Sequence, residues 1–475
     1  MTRFAAVIGL EVHCQLATLS KLFCGCANRF GAPPNTLACE LCSGQPGALP
    51  VLNRDALDLA LRAAVAFGCE LAPRIEFDRK HYWYCDLPKG YQITQSREPL
   101  GRGGAVELAN GKRVRLERVH LEEDAAKLLR ASESQSQVDL NRAGVPLLEC
   151  VTAPDLASAA EAAECLARIR EILVFCGASE CDMERGLLRC DVNVSLVATA
   201  GNARVELKNL NSFAHVHDAV EFELGRQSEA LAAGRAVERE TRAWDPERNE
   251  TRALRGKETA SDYRSLPEAD LPPLQLDHAR IERATACVPE LPMSRRRRYH
   301  RELGLDPKLA EVLLESRASA EFFEATLRHS RDAREVARWI ANDVRALFAE
   351  PEYGLRSMAE LPFKPFDLAE LIELAASGRA SRPAARDVLR AMCREPRAPR
   401  ELLRELGLES LDEGPELDAL CAQAIAAHAD ASDAVRAGNA RALEVLLGAV
   451  MAASRSRANP SAVRARLSAL LETAP

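Results

Sequence analysis

The sequence has no long apolar run. No stretch of its 475 residues approaches the roughly eighteen consecutive apolar residues of a membrane-spanning helix, so no span is predicted. The apolar stretch at residues 4–9 is too short for a secretion signal and leads directly to Glu11 and His13. We therefore expect a cytoplasmic protein that does not insert into a membrane.

An excess of positive charge is also lacking. The 63 Lys and Arg residues stand against 70 Asp and Glu residues, which gives a formal net charge of −7. Nonspecific DNA binding depends on positive charge, so this balance argues against DNA as a partner. It is compatible with an RNA partner that is recognised by shape through local basic patches.

Three common catalytic and nucleotide-binding motifs are missing. The sequence has no Gly-x4-Gly-Lys-[Ser/Thr] phosphate loop, no Gly-x-Gly-x-x-Gly followed by a helix, and no Gly-x-Ser-x-Gly elbow. The glycines at 101–104 indicate only a turn. Any nucleotide chemistry must therefore use a different set of residues.

The chain changes character near residue 290. A length of 475 residues exceeds what one hydrophobic core usually holds, so two or three domains are expected. Residues 1–290 alternate short strand patterns with polar motifs, whereas residues 295–475 carry Ala, Leu, Arg and Glu at helical spacing. We expect the chemistry in the first part. Apolar periodicity and capping residues predict a strand over 7–13 and helices over 55–67, 158–176 and 213–233.

Four cysteines form two close pairs, Cys24-x-Cys26 and Cys39-x-x-Cys42, on a segment rich in Gly and Pro. Such pairs can present four thiolates tetrahedrally to Zn²⁺. The alternative is four ordinary buried thiols, since fifteen cysteines without a secretion signal indicate a reducing compartment. Four cysteine ligands leave no open position, so we expect the zinc to be structural.

Carboxylates and one imidazole form a second group of candidates. Glu11 and His13 are two residues apart on a predicted strand and so share a face. With further carboxylates they suit Mg²⁺ or Mn²⁺, as in phosphoryl-transfer sites. For residues 122–124 the alternative is a solvated acidic turn. The further carboxylates are Glu122, Glu123, Asp124, Asp191 and Glu206.

An aromatic segment, residues 79–92, lies beside lysines. Its rings could stack on a nucleobase or on a tRNA end, and Lys80 and Lys89 could stabilise a phosphoryl group that is being transferred. The alternative is an aromatic core strand followed by a Pro-Lys-Gly turn. The candidate cofactor-binding residues are Tyr82, Tyr84, Tyr91, Asp191 and Lys208.

These motifs together closely resemble the B subunit of the tRNA-dependent amidotransferases, the Gat complexes. The similarity extends over almost the whole chain. It is carried by Val7-Ile-Gly-Leu-Glu-Val-His13, Lys21-Leu-Phe-Cys-Gly-Cys26, Asp86-Leu-Pro-Lys-Gly-Tyr-Gln92, His120-Leu-Glu-Glu-Asp124, Asn141-Arg-Ala-Gly-Val-Pro146, Leu188-Arg-Cys-Asp191, Glu206-Leu-Lys-Asn-Leu-Asn-Ser-Phe213 and Asp262-Tyr-Arg264.

The resemblance implies an α+β protein of three domains. A cradle-shaped catalytic domain with a mixed or antiparallel sheet would cover residues 1–292 and include the zinc knuckle at 24–42. An all-α helical domain would follow over 293–403. A small helical tail domain that contacts tRNA would cover 404–475. This tail has seven Arg, no Lys and ten Asp or Glu residues, so tRNA contacts there would use patches such as Arg455, Arg457, Arg464 and Arg466.

The resemblance also implies a reaction and partners. ATP would phosphorylate the side-chain carboxylate of misacylated Glu-tRNA(Gln), Asp-tRNA(Asn) or both, and ammonia would then displace the phosphate. The ammonia would come from the amidase of the complex, its glutaminase, and a small third polypeptide would complete a heterotrimer. An alternative is a noncatalytic, zinc-stabilised tRNA-binding adaptor that has lost the kinase step. An adaptor has no need of the carboxylate set.

Residue by residue, the resemblance implies a Mg²⁺ neighbourhood at Glu11, His13, Glu123 and Glu206. Lys80, Lys89 and residues 122–124 would line the site or the ammonia path. The four cysteines match the zinc-bearing branch of the family. The sequence departs from the usual family pattern at Cys85, Ala126, Ser265, Leu266, Ala449 and Ala452.

Overall fold

The computed structural model describes residues 4–130, 135–197, 203–254, 264–411, 414–454 and 457–473. It divides into two compact units, Met1–Ser294 and Arg295–Pro475. Within the described ranges, every helix is too short or too polar to span a bilayer. Asp262, Tyr263 and Arg455, which the sequence motifs include, lie outside the described residues.

The described strands all belong to the first unit. They are β1 (Ala6–Gln15), β2 (Glu70–Leu71), β3 (Arg74–Ile75), β4 (Asp78–His81), β5 (Tyr91–Thr94), β6 (Gly101–Arg102), β7 (Ala105–Glu107), β8 (Arg113–Glu123), β9 (Lys127–Arg130), β10 (Ser136–Asp139), β11 (Pro146–Thr152), β12 (Leu188–Leu196), β13 (Val205–Leu210), β14 (Glu240–Asp245), β15 (Glu250–Ala253), β16 (Arg264–Pro267) and β17 (Leu274–Gln275).

The described α-helices begin in the first unit and continue through the second. They are α1 (Arg54–Ala66), α2 (Ala159–Phe175), α3 (Phe213–Ala232), α4 (His278–Ala286), α5 (Pro292–Arg301), α6 (Pro307–Leu313), α7 (Arg317–Leu327), α8 (Ala333–Arg338), α9 (Pro365–Ala376), α10 (Arg382–Arg394), α11 (Pro399–Glu405), α12 (Pro415–Ala427), α13 (Ala429–Arg436), α14 (Leu443–Ala453) and α15 (Pro460–Thr473).

A ten-stranded sheet forms the centre of the first unit. Its order is β15-β14-β13-β12-β1-β11-β8-β6-β2, and β7 pairs with β8. All described pairs within it are antiparallel except β13 with β14, so the sheet is mixed. A separate three-stranded sheet has the order β16-β4-β5. The predicted α+β class, a mixed sheet followed by helices, is confirmed.

Strand β1 shows why one face of the large sheet is apolar. Ile8, Leu10 and Val12 are fully buried in the core, and α1, α2 and α3 pack against the sheet. Because side chains alternate along a strand, Glu11 and His13 point to the opposite face. We call this opposite face the polar face.

Three helices of this unit, α1, α2 and α3, begin where the sequence predicts. Asn53, Ser158 and Ser212 are N-caps whose side chains accept hydrogen bonds from backbone N–H groups of α1, α2 and α3. Such caps satisfy donors that the first helical turn leaves unpaired. The predicted helices over 55–67, 158–176 and 213–233 are confirmed to within one residue at each end.

Within the described residues of the second unit, the regular elements are helices. Leu417, Cys421, Leu446, Val450 and Leu467 form a separate apolar cluster of α12, α14 and α15. Helix α11 crosses residue 404 and packs against α9 and α10. The domain boundary between 403 and 404 stays a prediction.

Candidate active site and metal centre

The polar face of the sheet collects side chains from five neighbouring strands. His13 on β1 lies opposite Glu149 on β11 and Arg189 on β12. Glu149 in turn lies opposite His120 on β8. Directly opposed residues of an antiparallel pair project on the same side of the sheet. Residues distant in sequence therefore meet on one surface, and β13 adds Glu206 to it opposite Asn193.

His13, Glu122 and Glu149 form one group on this face. One ligand atom from each lies within 4.8 Å of the others. His13 Nε2 is 3.5 Å from Glu122 Oε1, and His120 Nε2 is 3.0 Å from Glu149 Oε2. Both carboxylates are buried. Two carboxylates and an imidazole form a donor set that can hold a divalent cation.

Electrostatics keep His120 and Glu149 charged despite their burial. Burial of His120 disfavours its charged form, but Glu149 and Glu122 outweigh burial and raise the pKa of His120 to about 9. Burial likewise opposes ionisation of Glu149, yet His120, His13 and Arg118 hold the pKa of Glu149 well below its usual range. The positive imidazole of His120 thus stabilises the Glu149 carboxylate.

A second group on the polar face centres on Lys208. Its Nζ atom lies 2.6 Å from Asp191 Oδ2 and 2.9 Å from Glu206 Oε1. Burial opposes the charge of Lys208, but the two carboxylates raise its pKa above the usual value. Thr241 donates a hydrogen bond to Glu206. The group is therefore an ion cluster in which one lysine pairs with two carboxylates.

Glu11 lies between these two groups. It is half-buried on β1, directly opposite Asp191 on β12. Its Oε1 atom accepts a hydrogen bond of 2.9 Å from Asn193 Nδ2. Its position, two residues from His13 on the same face, is the one that the strand period predicts.

Glu123 and Asp124 have different surroundings from Glu122. Alternation along β8 turns Glu123 away from the polar face, where its Oε1 atom accepts bonds from Lys89 Nζ at 2.5 Å and from the Ile93 N–H at 2.8 Å. Asp124 Oδ2 lies 2.9 Å from Arg189. Residues 122–124 are 3–4 % exposed, so the solvated acidic turn is wrong.

The aromatic segment forms β4, a turn and β5. Arg79 lies over the Tyr91 ring at 4.6 Å, and Lys89 Nζ is 5.3 Å from the same ring centre. Lys80 lies opposite Gln92, whose side chain donates to the Glu123 carbonyl. Tyr82 is half-buried and Tyr84 is exposed. The segment is a surface hairpin, so the alternative of an aromatic core strand is wrong for Tyr84 and its neighbour Trp83, which is 88 % exposed.

Cys24, Cys26, Cys39 and Cys42 come together in space. Their sulfur atoms all lie within 4.8 Å of one another, with Cys24–Cys42 at 3.7 Å and Cys39–Cys42 at 3.8 Å. A tetrahedral zinc site with Zn–S bonds of about 2.3 Å places its sulfurs roughly 3.8 Å apart. The donor set and its spacing therefore fit Zn²⁺.

The cysteine group is attached to the Lys89 turn. Only glycine fits at position 44. Its φ of +69° lies in the left-handed region, and a Cβ atom there would lie 2.8 Å from the Pro88 carbonyl carbon. A hydrogen bond with the Cys24 thiol, supported by Lys21, lowers the pKa of Cys42 to about 4.

Comparison with known proteins identifies the family. The model of the GatB/GatE catalytic domain matches residues 6–282, and that of the GatB domain matches residues 321–471. The chain belongs to the GatB/GatE family. It is 44 % identical over 480 residues to the B subunit of the aspartyl/glutamyl-tRNA(Asn/Gln) amidotransferase of Thermomicrobium roseum, covering 99 % of each chain.

Two further GatB relatives carry the same name. The protein of Anaeromyxobacter sp. is 42 % identical over 475 residues, with 98 % of each chain covered. That of Thermosynechococcus vestitus is 41 % identical over 474 residues, which are 96 % of this chain and 94 % of the relative. The resemblance expected from the motifs is confirmed.

Within this GatB fold, sequence reasoning placed some site residues and missed others. Of the four residues expected to surround Mg²⁺, only His13 belongs to the group with ligand atoms within 4.8 Å. The expected role of Glu11, Glu123 and Glu206 stays a prediction. Glu149 and His120 were not assigned roles, although His120 stands inside a motif and Glu149 is the one charged residue of β11.

Proposed function

We propose that this chain is the component of a tRNA-dependent amidotransferase that activates and amidates a misacylated tRNA, Glu-tRNA(Gln), Asp-tRNA(Asn) or both. The observation that carries the proposal is the family match across both parts of the chain, joined to a cation-binding group on the polar face of its catalytic domain. Near-complete coverage of the named relatives supports it.

The chemistry explains the need for ATP. A carboxylate accepts an amine poorly because oxide is a poor leaving group. Transfer of the γ-phosphoryl group of ATP to the side-chain carboxylate forms an acyl phosphate and releases ADP. Ammonia then attacks the acyl carbon, the bond to the phosphate oxygen breaks, phosphate leaves, and the nitrogen loses a proton. The acyl phosphate must be kept from water, so a covered site is required.

His13, Glu122 and Glu149 would hold Mg²⁺ in this site. Bound there, Mg²⁺ would supply charge neutralisation for the phosphate oxygens of ATP. The carboxylate oxygens are the hard ligands that this ion prefers. His120, 3.0 Å from Glu149 Oε2, would keep Glu149 in its charged form. Glu11, on the same face, is proposed as a further residue of the Mg²⁺ neighbourhood.

Cations near the site would bind the negative substrates. Lys208, together with Asp191 and Glu206, lies on the polar face and is proposed for phosphate contact. Tyr82, Tyr84 and Tyr91 are proposed to stack on the nucleotide or on the tRNA end. Lys80, Lys89, Glu123 and Asp124 are proposed to line the route by which ammonia arrives.

The four cysteines are proposed to hold one structural Zn²⁺. Their sulfur spacing supports this, and four protein ligands leave no position for a substrate. The centre would hold the loop of residues 24–44 against the Lys89 turn.

The partners follow from the proposed reaction. The relatives are named as B subunits, so we place the chain in a complex of several polypeptides. We propose a heterotrimer with an amidase, the glutaminase that supplies ammonia, and a small third polypeptide, with misacylated tRNA as substrate. The tail, residues 404–475, is proposed to contact the tRNA.

The noncatalytic adaptor is the less favoured function. A tRNA-binding adaptor has no use for buried, charged carboxylates beside His13, because burying them costs free energy without a ligand to bind. The deciding experiment is acyl-phosphate trapping. The heterotrimer is given ATP, Mg²⁺ and misacylated tRNA without glutamine, and hydroxylamine is added. A hydroxamate on the aminoacyl side chain supports the transferase, whereas tRNA binding without hydroxamate or ADP supports the adaptor.

A further inference from the structure

Lys21 is a fully buried lysine next to the cysteine group. Its side chain is inaccessible to solvent at 0 % exposure. Its Nζ atom donates a hydrogen bond of 3.2 Å to Cys42 Sγ and another of 3.0 Å to the Leu140 carbonyl. No substrate can reach this ammonium group, so its role must be toward its immediate neighbours.

A buried ammonium group requires a negative partner. Removing a charge from water costs several kcal/mol unless it is paired and hydrogen-bonded. The carbonyl of Leu140 carries no net charge, so Cys42 is the partner that can balance it among the contacts described here. Four thiolates around Zn²⁺ leave a net charge of about −2 on the centre. One lysine at hydrogen-bond distance offsets half of that charge.

The backbone around Lys21 connects the cysteine group to the catalytic strand. The Lys21 N–H donates to the Cys26 carbonyl at 2.9 Å, and the next residue, Leu22, donates to the Gly144 carbonyl at 2.9 Å. The Gly144 N–H donates to the Asp124 carbonyl at 2.9 Å. Asp124 follows directly after β8, which carries Glu122. Lys21 therefore lies between the four-cysteine group and the strand that carries Glu122.

We propose that Lys21 is a positioning residue of the metal centre: it donates an N–H···S hydrogen bond to the Cys42 thiolate, and its charge stabilises the metal-loaded four-sulfur group. This inference rests on the zinc part of the proposed function. It adds a fifth protein group that is not a ligand to the centre. Partners of this kind, outside the ligand set, orient ligands and tune metal affinity.

The test uses the full-length chain with Lys21→Met, which keeps an unbranched side chain without charge or donor. Zinc transfer to a chromogenic chelator should show an affinity weakened roughly 10- to 100-fold, the range for loss of such a partner. The matched control is Lys112→Met, which removes a partly exposed lysine paired with Glu161 and should leave zinc affinity unchanged.

A second measurement uses cobalt in place of zinc. If Lys21 had a purely structural role, the cobalt spectrum would not change when it is substituted. A hydrogen bond lowers the energy of the sulfur electrons, so its loss in Lys21→Met should shift the thiolate-to-cobalt charge-transfer bands to longer wavelength. Lys21→Gln keeps a donor without the charge, and it carries the chelator test if the Met variant does not fold. It should lose zinc faster than the wild-type chain.

The outcomes separate this inference from the zinc proposal itself. If the wild-type chain binds neither metal stoichiometrically, the zinc centre is wrong. If the wild-type chain binds both and the Lys21 variants retain zinc and cobalt bands as the wild type does, only the role of Lys21 is wrong. A lowered melting temperature with unchanged affinity and bands would also overturn it, since that result assigns Lys21 to packing.

Discussion

His13 and Glu149 face each other across the β1–β11 pair, with His13 Nε2 3.9 Å from Glu149 Oε2. The same Glu149 oxygen lies 3.0 Å from Nε2 of His120 on the next strand, β8. The Glu149 carboxylate on β11 thus lies between two imidazoles, one from β1 and one from β8. Glu149 lies outside the sequence motifs, yet its position makes it the centre of the proposed Mg²⁺ group.

The first prediction is that Glu149→Gln abolishes the kinase step. The amide keeps the size of the side chain but removes the charge that would hold Mg²⁺ and balance His120. We expect tRNA-dependent ADP formation by the reconstituted complex to fall on the order of 100-fold or more, as for loss of one electrostatic stabiliser. Glutamine hydrolysis by the partner amidase should keep its chemical competence.

Glu282→Gln is the matched control for that experiment. Glu282 is an exposed carboxylate on α4, and its side chain is 67 % accessible. This variant should form ADP at the wild-type rate. If Glu149→Gln did the same, the group on the polar face would not be the phosphoryl-transfer site.

The second prediction concerns the cysteine group. Cys39→Ser removes one sulfur from the four and should abolish stoichiometric zinc binding and lower the melting temperature, because metal binding and folding are coupled. The control is Cys287→Ser, since Cys287 is an exposed free cysteine. Metal analysis and calorimetry on the reduced full-length chain measure both effects. Full zinc occupancy in Cys39→Ser would contradict the assignment.

The third prediction concerns the buried pair of Lys89 and Glu123. Their charged atoms are 2.5 Å apart, and their side chains are 11 % and 4 % exposed. Lys89→Met or Glu123→Gln alone leaves one charge buried without its partner, which costs about 3–5 kcal/mol. The double variant removes both charges and should recover most of the loss.

Thermal unfolding of the four proteins measures this cycle. A large favourable coupling is expected between the two positions, because each single variant is worse than the double. Additive effects of the two substitutions would mean that the pair is not formed in solution. The same variants, assayed for glutamine-dependent amidation, test the proposed role of the pair on the ammonia route.

The sequence allowed much of this fold to be predicted because its local signals were strong. Apolar periodicity and capping residues predicted α1, α2 and α3, and the strand period put Glu11 and His13 on one face. The four-cysteine group was predicted from the spacing of the cysteines in the sequence. These signals act over a few residues, where the geometry of one element decides the outcome.

The rest of the candidate site depended on the register between strands that are distant in sequence. Glu149 stands in an apolar strand, and only its pairing with β1 and β8 brings it beside His13 and His120. Glu122 and Glu123 are adjacent in sequence but point to opposite faces, so a motif that contains both does not say which one joins the site. A shift by one residue would exchange them.

The last prediction concerns the tail. Removing residues 412–475 takes away α12–α15, which have their own apolar cluster, and leaves α11 on α9 and α10. The proposed contact of the tail with tRNA contributes uniform binding, and loss of uniform binding raises KM without changing the chemical step. We expect KM for misacylated tRNA to rise about ten- to thirtyfold, equivalent to about 1–2 kcal/mol, and kcat to stay within roughly tenfold.

The tail's charges explain why the effect should be no larger. Arg457, Arg464 and Arg466 each pair with a carboxylate of the tail itself, at 2.5–2.9 Å. Phosphate contacts by these arginines would have to replace existing ion pairs. Kinetics of the truncated complex at saturating tRNA decide the point. A collapse of kcat there would mean that the tail orders the active site, and the separation of tRNA binding from chemistry would be wrong.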